Sequence, residues 1–182
     1  MSEWITCTLD TLGTIIGGST PSTQHKEYYD GDIPWITPKD LSNFNERYIS
    51  KGARNITRAG FSSCSTQLLP KGSVLFTSRA PIGYIAIAAN DICTNQGFKS
   101  IVPSNKVDSL FLFYLLKYNK ANIEALGTGT TFKEVSGTTM KSATVTLPVS
   151  LQEQKAIAAV LSALDDKIEV NRAINKNLPA CA

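Results

Sequence analysis

The sequence has little of the chemistry that most hydrolases and transferases use. His25 is the only histidine among the 182 residues, and it lies in a turn-rich stretch of serines and threonines. A G-x-S-x-G element is absent, and the acidic residues are scattered along the chain rather than set as a pair. Because no nucleophile stands beside a base in any recognisable pattern, the sequence predicts a chain without catalytic residues.

Cysteine is too sparse and too widely spaced for a metal site. The four cysteines have no C-x-x-C spacing and no histidine pair to complete a zinc tetrahedron; they are Cys7, Cys64, Cys93 and Cys181. We therefore expect free thiols, no metal and no cofactor.

The first ten residues lack the basic start and apolar core of a secretory signal, and no apolar run approaches the length of a membrane span. These absences favour a cytoplasmic protein that does not contact a membrane.

Glycine is concentrated in one stretch that resembles a phosphate cradle, ALGTGTTFKEVSG at residues 125–137. A P-loop places its lysine directly after the second glycine, whereas Lys133 stands four residues past Gly129. Phe132 occupies the third glycine position of a dinucleotide-binding motif, and the stretch follows a helical segment instead of opening one. The sequence therefore predicts a turn, in which Gly127 is the left-handed residue after a helix and Gly129 opens the next bend.

Charge is modest overall, but the positive charge is unevenly distributed. The formal net charge is +3. Between Lys39 and Arg79, seven basic residues stand against two acidic ones, a local net charge of +5, so the rest of the chain sums to −2. This segment predicts either a solvated surface or a site for an anionic partner such as DNA. Trp35, Tyr28 and Tyr29 lie just upstream, where they could stack on bases or anchor loops.

Apolar periodicity predicts a mixture of strands and helices before residue 150. Asp108 and Thr57 are suited to cap helices, and Asp30 followed by Gly31 is typical of a turn. This mixture favours an α+β fold. The predicted elements are strands at 72–79, 83–90, 92–103 (interrupted near Gly97) and 143–148, and helices at 56–63, 109–118 and 120–127.

A different pattern begins at residue 150. Ser150 and Glu153 have the spacing of a capping box, and a helix ~42 Å long is predicted from Leu151 to Leu178. Apolar residues recur along it at intervals of four, three and four, the spacing of a coiled-coil seam. The seam could pack on the chain's own domain or against a partner helix, and the length of the helix favours the partner. The seam residues are Ile157, Leu161, Leu164 and Ile168.

Six short motifs follow one another along the chain. They are GGSTPS, GDIPWITPKDL, LLPKGSVLFTSRAPIGYIAI, TNQGFKSIVP, GTGTTFKEVS and LPVSLQEQKAIAAVLSALDDKIEVN. Each is weak alone, but in this order they closely resemble a half-length specificity subunit of a type I restriction–modification system. The resemblance runs from about Trp4 to Leu178. It implies a target-recognition domain with a mixed β-sheet and packed helices at residues 1–149, followed at residues 150–182 by a long coiled-coil-forming spacer helix.

The resemblance also implies a function. In that family a target-recognition domain reads one half of a bipartite site on double-stranded DNA, and the spacer helix docks the methyltransferase subunit and, through it, the endonuclease subunit. The chain itself is then non-catalytic. Two alternatives are a protein-interaction module whose coiled coil works without DNA, and a stand-alone DNA-modifying enzyme domain. The second lacks its signatures, since no Asn-Pro-Pro-aromatic element and no metal-binding carboxylate cluster are present.

The family's base-reading residues differ with the target, so candidates are chosen by residue type and position. Basic side chains suit phosphates, and polar side chains in loops suit base edges. For every candidate the alternative is a structural role, and Asn95 and Gln96 in particular could satisfy backbone groups in a turn. The phosphate candidates are Lys39, Arg47, Lys51, Arg54 and Arg58, and the reading candidates are Thr37, Ser78, Arg79, Asn95, Gln96 and Lys133.

The family's full subunit carries two recognition domains and two long helices, whereas this sequence shows one of each, with Pro179 closing the helix. The sequence leaves open whether this is a natural half-subunit, a frameshifted product or a truncated form. The family's full subunit pairs two antiparallel helices, and this chain supplies one of them. We therefore expect a two-fold homodimer through the four seam residues, with an interrupted palindrome as its target. A charge at Leu161 is expected to split the dimer and leave the domain folded.

Overall fold

The computed structural model describes residues 3–79, 81–130 and 133–177. Short strands, turns and short helices are followed by one long helix. The strands are β1 (Trp4–Thr8), β2 (Gly13–Gly17), β3 (Tyr29–Ile33), β4 (Trp35–Ile36), β5 (Tyr48–Ile49), β6 (Val74–Phe76), β7 (Ile85–Ala88), β8 (Cys93–Thr94), β9 (Lys99–Pro103) and β10 (Thr144–Pro148). The α-helices are α1 (Arg58–Ser62), α2 (Ser109–Tyr118), α3 (Lys120–Ala125), α4 (Gly137–Ser142) and α5 (Leu151–Asn177).

A five-stranded mixed sheet in the order β2–β9–β6–β7–β5 forms the centre of the fold. Neighbouring strands pair antiparallel, except that β5 runs parallel to β7. Two smaller pairs flank it: β1 with β10, antiparallel, and β4 with β8, parallel. Because β10 leads directly into α5, the β1–β10 ribbon fixes the start of the long helix beside the first residues of the chain.

Both faces of the central sheet are buried, and this explains why β6 is apolar throughout. Val74 and Phe76 contribute to one core, and Leu75 between them contributes to the other, as the alternation of side chains along a strand requires. The first core includes residues 111–116 of α2 and continues through α4 and β10 to Ala158 of α5. The second core lies beneath β4, β8 and their connecting loops. One face of the sheet therefore carries the helices and the other carries loops.

Most of the predicted elements are confirmed. Helix α2 has the predicted bounds, and the Asp108 carboxylate accepts a hydrogen bond from the N–H of Phe111 at 3.0 Å. Thr57 caps α1 by accepting from the N–H of Gly60 at 3.1 Å. The interruption expected near Gly97 separates β8 from β9. The fold is α+β, with a mixed sheet, packed helices and a long C-terminal helix, as predicted.

Two turn predictions are wrong. Asp30 and Gly31 lie within β3 instead of forming a free turn, and Asp30 accommodates the bend there with a φ of 63°. Gly127 is not left-handed: its N–H bonds to the carbonyl of Glu124 at 3.0 Å, but its φ is not positive. The positive φ comes later, at Gly129, with a value of 128°.

Candidate nucleic-acid interface

Two buried aromatic side chains organise the loops above the second core. Tyr29 and Trp35 meet edge to face, with ring centroids 6.0 Å apart. The Tyr29 hydroxyl donates to the carbonyl of Pro21 at 2.6 Å, and the indole N–H of Trp35 donates to the carbonyl of Ser19 at 3.1 Å. The loop at residues 18–25 is therefore fixed at two points. These two aromatics anchor a loop and are not free to stack on bases.

A tight turn after β8 lies against this loop. The side-chain carbonyl of Asn95 accepts from the N–H of Gly97 at 2.9 Å, and the Thr20 hydroxyl donates to the side-chain carbonyl of Gln96. Ser78 is fully buried, and its N–H and hydroxyl donate to the Gly97 carbonyl at 2.8 and 3.2 Å. The enclosed hydroxyl of Ser78 does not suit the base-reading role predicted for it. Asn95 has the turn-stabilising role given above as its alternative, whereas Gln96 is exposed.

The glycine-rich stretch that resembled a phosphate cradle is a short hairpin. Thr128 and Glu134 exchange two backbone hydrogen bonds, at 3.0 and 2.9 Å. The N–H of Val135 donates to the carbonyl of Ser78 at 2.9 Å, which sets the hairpin beside the Gly97 turn. Thr131 and Phe132 of the Gly-Thr-Thr-Phe element, and so the tip, lie outside the described residues.

Basic side chains gather at the base of this hairpin. The Glu134 carboxylate lies 3.7 Å from the Arg79 guanidinium and 3.5 Å from the Lys99 ammonium group. Two cations on one carboxylate leave a net positive charge, and Lys133 beside them is exposed. Lys99 was not among the predicted site residues, because in the sequence it reads as one polar position of strand β9.

Asp40 fixes a second basic loop. Its carboxylate accepts from the N–H and the hydroxyl of Thr37, each at 2.7 Å, and from the N–H of Ala53 at 2.7 Å. The Thr37 hydroxyl is thus bonded within the protein, which does not suit the base-reading role predicted for it. Lys39 and Lys51 flank this bonded core and are exposed.

Arg54 and Arg58 lie next to this loop in different settings. Nε and Nη2 of Arg54 donate to the two carboxylate oxygens of Asp30 at 3.0 and 3.2 Å, and the guanidinium carbon lies 4.0 Å from the centre of the Tyr29 ring. The hydrogen bond to Asp30 raises the pKa of Arg54, so the side chain is cationic at every working pH. Arg58 is exposed at the first position of α1.

Arg47 contacts the long helix α5 instead of these loops. Its Nη1 donates to the carbonyl of Ser162 at 2.8 Å and its Nη2 pairs with Asp166, both on α5. Burial lowers the pKa of Arg47, but hydrogen bonds to Asp166 and Tyr114 outweigh it, and the pKa is raised. This setting does not suit the phosphate contact predicted for Arg47, because its largely buried side chain is bonded to the long helix.

The first half of α5 is bound to the domain by polar contacts. Gln154 is fully buried; its amide donates to the carbonyls of Lys106 at 3.2 Å and Pro148 at 2.9 Å and accepts from the N–H of Asp108 at 2.9 Å. Three turns further on, the Tyr114 hydroxyl donates to Asp165 at 2.9 Å. Three fixed points, with Arg47 the third, set the direction in which the helix leaves the domain.

The predicted coiled-coil seam is divided between two environments. Ile157 and Leu161 are partly buried against the first core, whereas Leu164 and Ile168 are 55% and 46% exposed. Packing on the chain's own domain, the alternative given above, therefore accounts for two of the four seam residues. At the start of the helix, Ser150 Oγ accepts from the N–H of Glu153 at 3.4 Å, which is one of the two bonds of the predicted capping box. The predicted end at Leu178 lies outside the described residues.

The remaining candidates surround one loop surface. A side chain at Gly97 would meet the ring of Pro38, so the Asp40 loop and the Gly97 turn are in contact. The antiparallel bridge from Arg79 to Glu134 adds the hairpin. Thr20, bonded to Gln96, and Asp30, bonded to Arg54, were missed by sequence reasoning, because nothing in their local pattern shows these partners. We call this surface the loop cluster; it comprises residues 18–25, 30, 37–40, 51–54, 95–97, 128–130 and 133–134.

Across residues 3–79, 81–130 and 133–177, no three His, Cys, Asp or Glu side chains converge as metal ligands. Over the same ranges, no helix combines the length and the apolar character needed to cross a membrane.

Comparisons with known proteins agree with the fold. Residues 1–180 match the family described as type I restriction modification DNA specificity domain. The chain is 47% identical to the type I restriction enzyme MjaIX specificity subunit of Methanocaldococcus jannaschii over 99% of this chain and 42% of the relative. It is 26% identical to the EcoR124I/EcoR124II specificity subunit of Escherichia coli over 97% of this chain and 43% of the relative.

Two solved structures share its architecture. The HsdS subunit from Thermoanaerobacter tengcongensis superposes with a TM-score of 0.71 at 20% identity, covering 93% of this chain and 39% of the other. The type I S subunit from M. genitalium does so with a TM-score of 0.69 at 21% identity, covering 97% and 44%. The chain thus spans about two-fifths of the length of these relatives. By its match over nearly the whole sequence, it belongs to the type I restriction modification DNA specificity domain family.

Proposed function

We propose that this chain binds double-stranded DNA and reads one half of a bipartite target sequence. The observation that carries the proposal is the match of residues 1–180 to a DNA specificity domain family. The loop cluster supports it, because it presents exposed cations that suit phosphates around polar groups that suit base edges. The exposed cations of the cluster include Lys39, Lys51 and Lys133, with the exposed Arg58 of α1 beside it, and the polar groups include Thr20 and Gln96.

In this proposal the two parts of the chain have separate tasks. Residues 1–149 recognise DNA, and residues 150–182 are a spacer that docks a type I methyltransferase subunit and, through it, an endonuclease subunit, in the cytoplasm. The chain supplies sequence recognition and no catalytic group. Its relatives are named specificity subunits, and the fixed exit of α5 from the domain suits a spacer that must hold a constant distance.

Salt-dependent binding of random duplex DNA tests the proposal. The full chain, alone and with a type I methyltransferase subunit, is expected to enrich one sequence pattern. Replacing Lys51 and Arg58 by Glu should weaken binding to all sequences and reduce the slope of log K against log salt by about 0.9 for each lost phosphate contact. Lys106→Glu, a reversal of an exposed charge outside the loop cluster and outside α5, is the control. Failure of the unmutated chain to enrich any sequence in either setting would contradict DNA recognition and leave the interaction module as the better account.

We further propose that two copies pair through the outer side of α5. Val160, Leu164 and Ile174 recur there and are 65%, 55% and 52% exposed. A two-fold antiparallel pair would bury these side chains and place the recognition domains at opposite ends of the spacer. The target would then be an interrupted palindrome. This dimer differs from the one the sequence predicts, because Ile157 and Leu161 are occupied by the chain's own core.

A further inference from the structure

Arg54 is held in a fixed orientation by one carboxylate. Its Nε donates to Oδ1 of Asp30 at 3.0 Å and its Nη2 donates to Oδ2 at 3.2 Å. This is a side-on pair, which uses the N–H of Nε and one N–H of Nη2. The end of the guanidinium fork, with both N–H groups of Nη1 and the outer N–H of Nη2, stays available. No hydrogen-bond acceptor contacts Nη1 among the residues that the structure describes, and the Arg54 side chain is 46% exposed.

The plane of the guanidinium is fixed as well. Its central carbon lies 4.0 Å from the centre of the Tyr29 ring. That ring is itself immobilised, since it is buried, packs edge to face on Trp35 and donates its hydroxyl to the carbonyl of Pro21. A solvated arginine samples many rotamers, whereas this one is restrained both along its edge and across its face. Such restraint lowers the entropy cost of forming a directional pair of hydrogen bonds.

Asp30 makes this contact from a strained backbone position. It is the non-glycine residue with positive φ in the part of the chain that the structure describes, at 63°. Neighbouring backbone bonds hold the strain: the N–H of Asp30 donates to the carbonyl of Asn55, and the N–H of Thr57 donates to the carbonyl of Tyr28, both at 2.9 Å. Strain of this kind persists where the surroundings impose it and is concentrated at functional positions.

We propose that Arg54 reads a guanine in the major groove of the target, with Asp30 as the residue that positions it. Guanine presents O6 and N7 to two parallel N–H donors, and the free end of the Arg54 fork supplies such a pair. A phosphate role fits less well. Asp30 is 71% exposed beside the guanidinium, so its negative charge repels a phosphate anion much more strongly than an uncharged base edge. This inference rests on the proposed DNA recognition and deepens it by naming the base.

Position in the loop cluster agrees with a reading role. Tyr29, beneath Arg54, bonds to Pro21, and Thr20 next to Pro21 bonds to Gln96. Arg54 and Gln96 are therefore linked through one loop, with the exposed Lys51 nearby in sequence. A base-reading arginine needs phosphate contacts close to it that set the register of the DNA.

Selection of random duplex DNA by three full-length variants tests the assignment. Arg54→Lys keeps the charge and loses the fork. Asp30→Gly keeps the positive φ without strain and removes the positioning carboxylate. Asp32→Asn is the matched control, because Asp32 is an exposed carboxylate on the same strand, two residues away. Thermal unfolding of each variant confirms that the domain is intact.

For Arg54→Lys we expect the preference for guanine at one base pair of each half-site to fall roughly tenfold to a hundredfold, with the other positions and the salt slope unchanged. Asp30→Gly should lose selectivity at the same base pair, and Asp32→Asn should not. If Asp30→Gly instead tightens binding to all sequences and keeps the guanine, Arg54 is a phosphate contact and the inference is overturned. A target without guanine in the unmutated selection overturns it equally. Absence of any selected pattern would contradict the proposed function itself.

Discussion

The two sides of α5 differ in what covers them, although they are composed of similar residues. The inner face packs on the domain and is bonded to it at Gln154 and Asp165. The outer face has no contact of this kind among the described residues and presents large apolar side chains to solvent. Leu161 and Leu164, three positions apart, fall on opposite sides of this division. The inner face comprises Gln154, Ile157, Ala158, Leu161 and Asp165, and the outer face comprises Val160, Leu164 and Ile174.

The comparison shows that a coiled-coil spacing does not identify its partner. Apolar residues at intervals of three and four form one stripe along a helix. A helix with two apolar stripes therefore contains two sets of residues with coiled-coil spacing, and the spacing alone does not show which set faces a partner. Hydrogen bonds to the domain distinguish the inner stripe from the outer one. Gln154 is buried, and its hydrogen bonds are satisfied by Asp108, Lys106 and Pro148 of the same chain. The outer stripe is exposed, and this is why we assign the proposed dimer to it.

The largest expected effect is on self-association. Leu164→Asp should abolish the dimer and leave the domain folded, because burying each leucine contributes roughly 1.5–3 kcal/mol and two copies are lost together. Leu161→Asp should destabilise the domain itself, since it places a charge against the first core. This reverses the expectation from the sequence that a charge at Leu161 spares the domain.

Light scattering at tens of micromolar, together with circular dichroism, separates the two variants. A folded monomer for Leu164→Asp beside a dimeric parent protein is the expected result. The assignment of the faces would be contradicted if Leu161→Asp gave the folded monomer and Leu164→Asp stayed dimeric. If the parent protein is monomeric, the dimer proposal is contradicted. The stability of the two variants would then still show whether Leu161 lies on the inner face and Leu164 on the outer face.

The next effect is on the inner face. Gln154→Leu keeps the size of the side chain but leaves the N–H of Asp108 and two carbonyls without partners in a buried site. Because an unsatisfied buried group costs about 1–3 kcal/mol, we expect the free energy of unfolding to fall by about 3 kcal/mol. Gln152→Leu, an exposed glutamine two residues away, is the control and should change it by less than about 0.5 kcal/mol. Equal values in urea unfolding would show that the buried amide does not hold the helix.

Local chemistry explains which features could be predicted from the sequence. The bounds of α2 follow from the Asp108 cap and a continuous apolar run, and the break between β8 and β9 follows from Gly97. Both depend on neighbours within a few residues. The α+β class and the long helix follow in the same way, from periodicity.

The contacts that the sequence did not reveal involve partners far away along the chain. Arg47 bonds to a carbonyl 115 residues later, and Ser78 is enclosed by a turn 19 residues later. Neither is visible in a local pattern, so both were assigned by residue type alone. The pair of Asp30 and Arg54, 24 residues apart, was missed for the same reason. Because Asp followed by Gly is typical of turns, the sequence does not indicate that the Asp30 carboxylate orients the Arg54 side chain.

The smallest expected effect is on how the free energy of unfolding changes with pH, and it concerns Tyr114, which bonds to the inner face. Burial raises the pKa of Tyr114 to about 12, whereas tyrosine in an unfolded chain titrates near 10. The neutral phenol is therefore favoured in the folded state. The stability it contributes is fully present below pH 10 and is lost as the pH rises to about 12. Tyr114→Phe lacks the hydrogen bond to Asp165 and should lower the free energy of unfolding by about 1 kcal/mol at pH 8.

Because the phenylalanine variant has no phenol to ionise, its stability should fall less steeply above pH 10. The two profiles should then converge and cross before pH 12. Burial also raises the pKa of the Cys93 thiol to about 11, and this decline, which begins near pH 9, is common to both proteins. Tyr118→Phe, at an 87% exposed position on the same helix, controls for the loss of a phenol. Urea unfolding at intervals from pH 8 to 12 gives the profiles. Parallel declines in the parent and in Tyr114→Phe would mean that this phenol does not join the helix to the domain, and the inner face would then depend on Gln154, Arg47 and apolar packing alone.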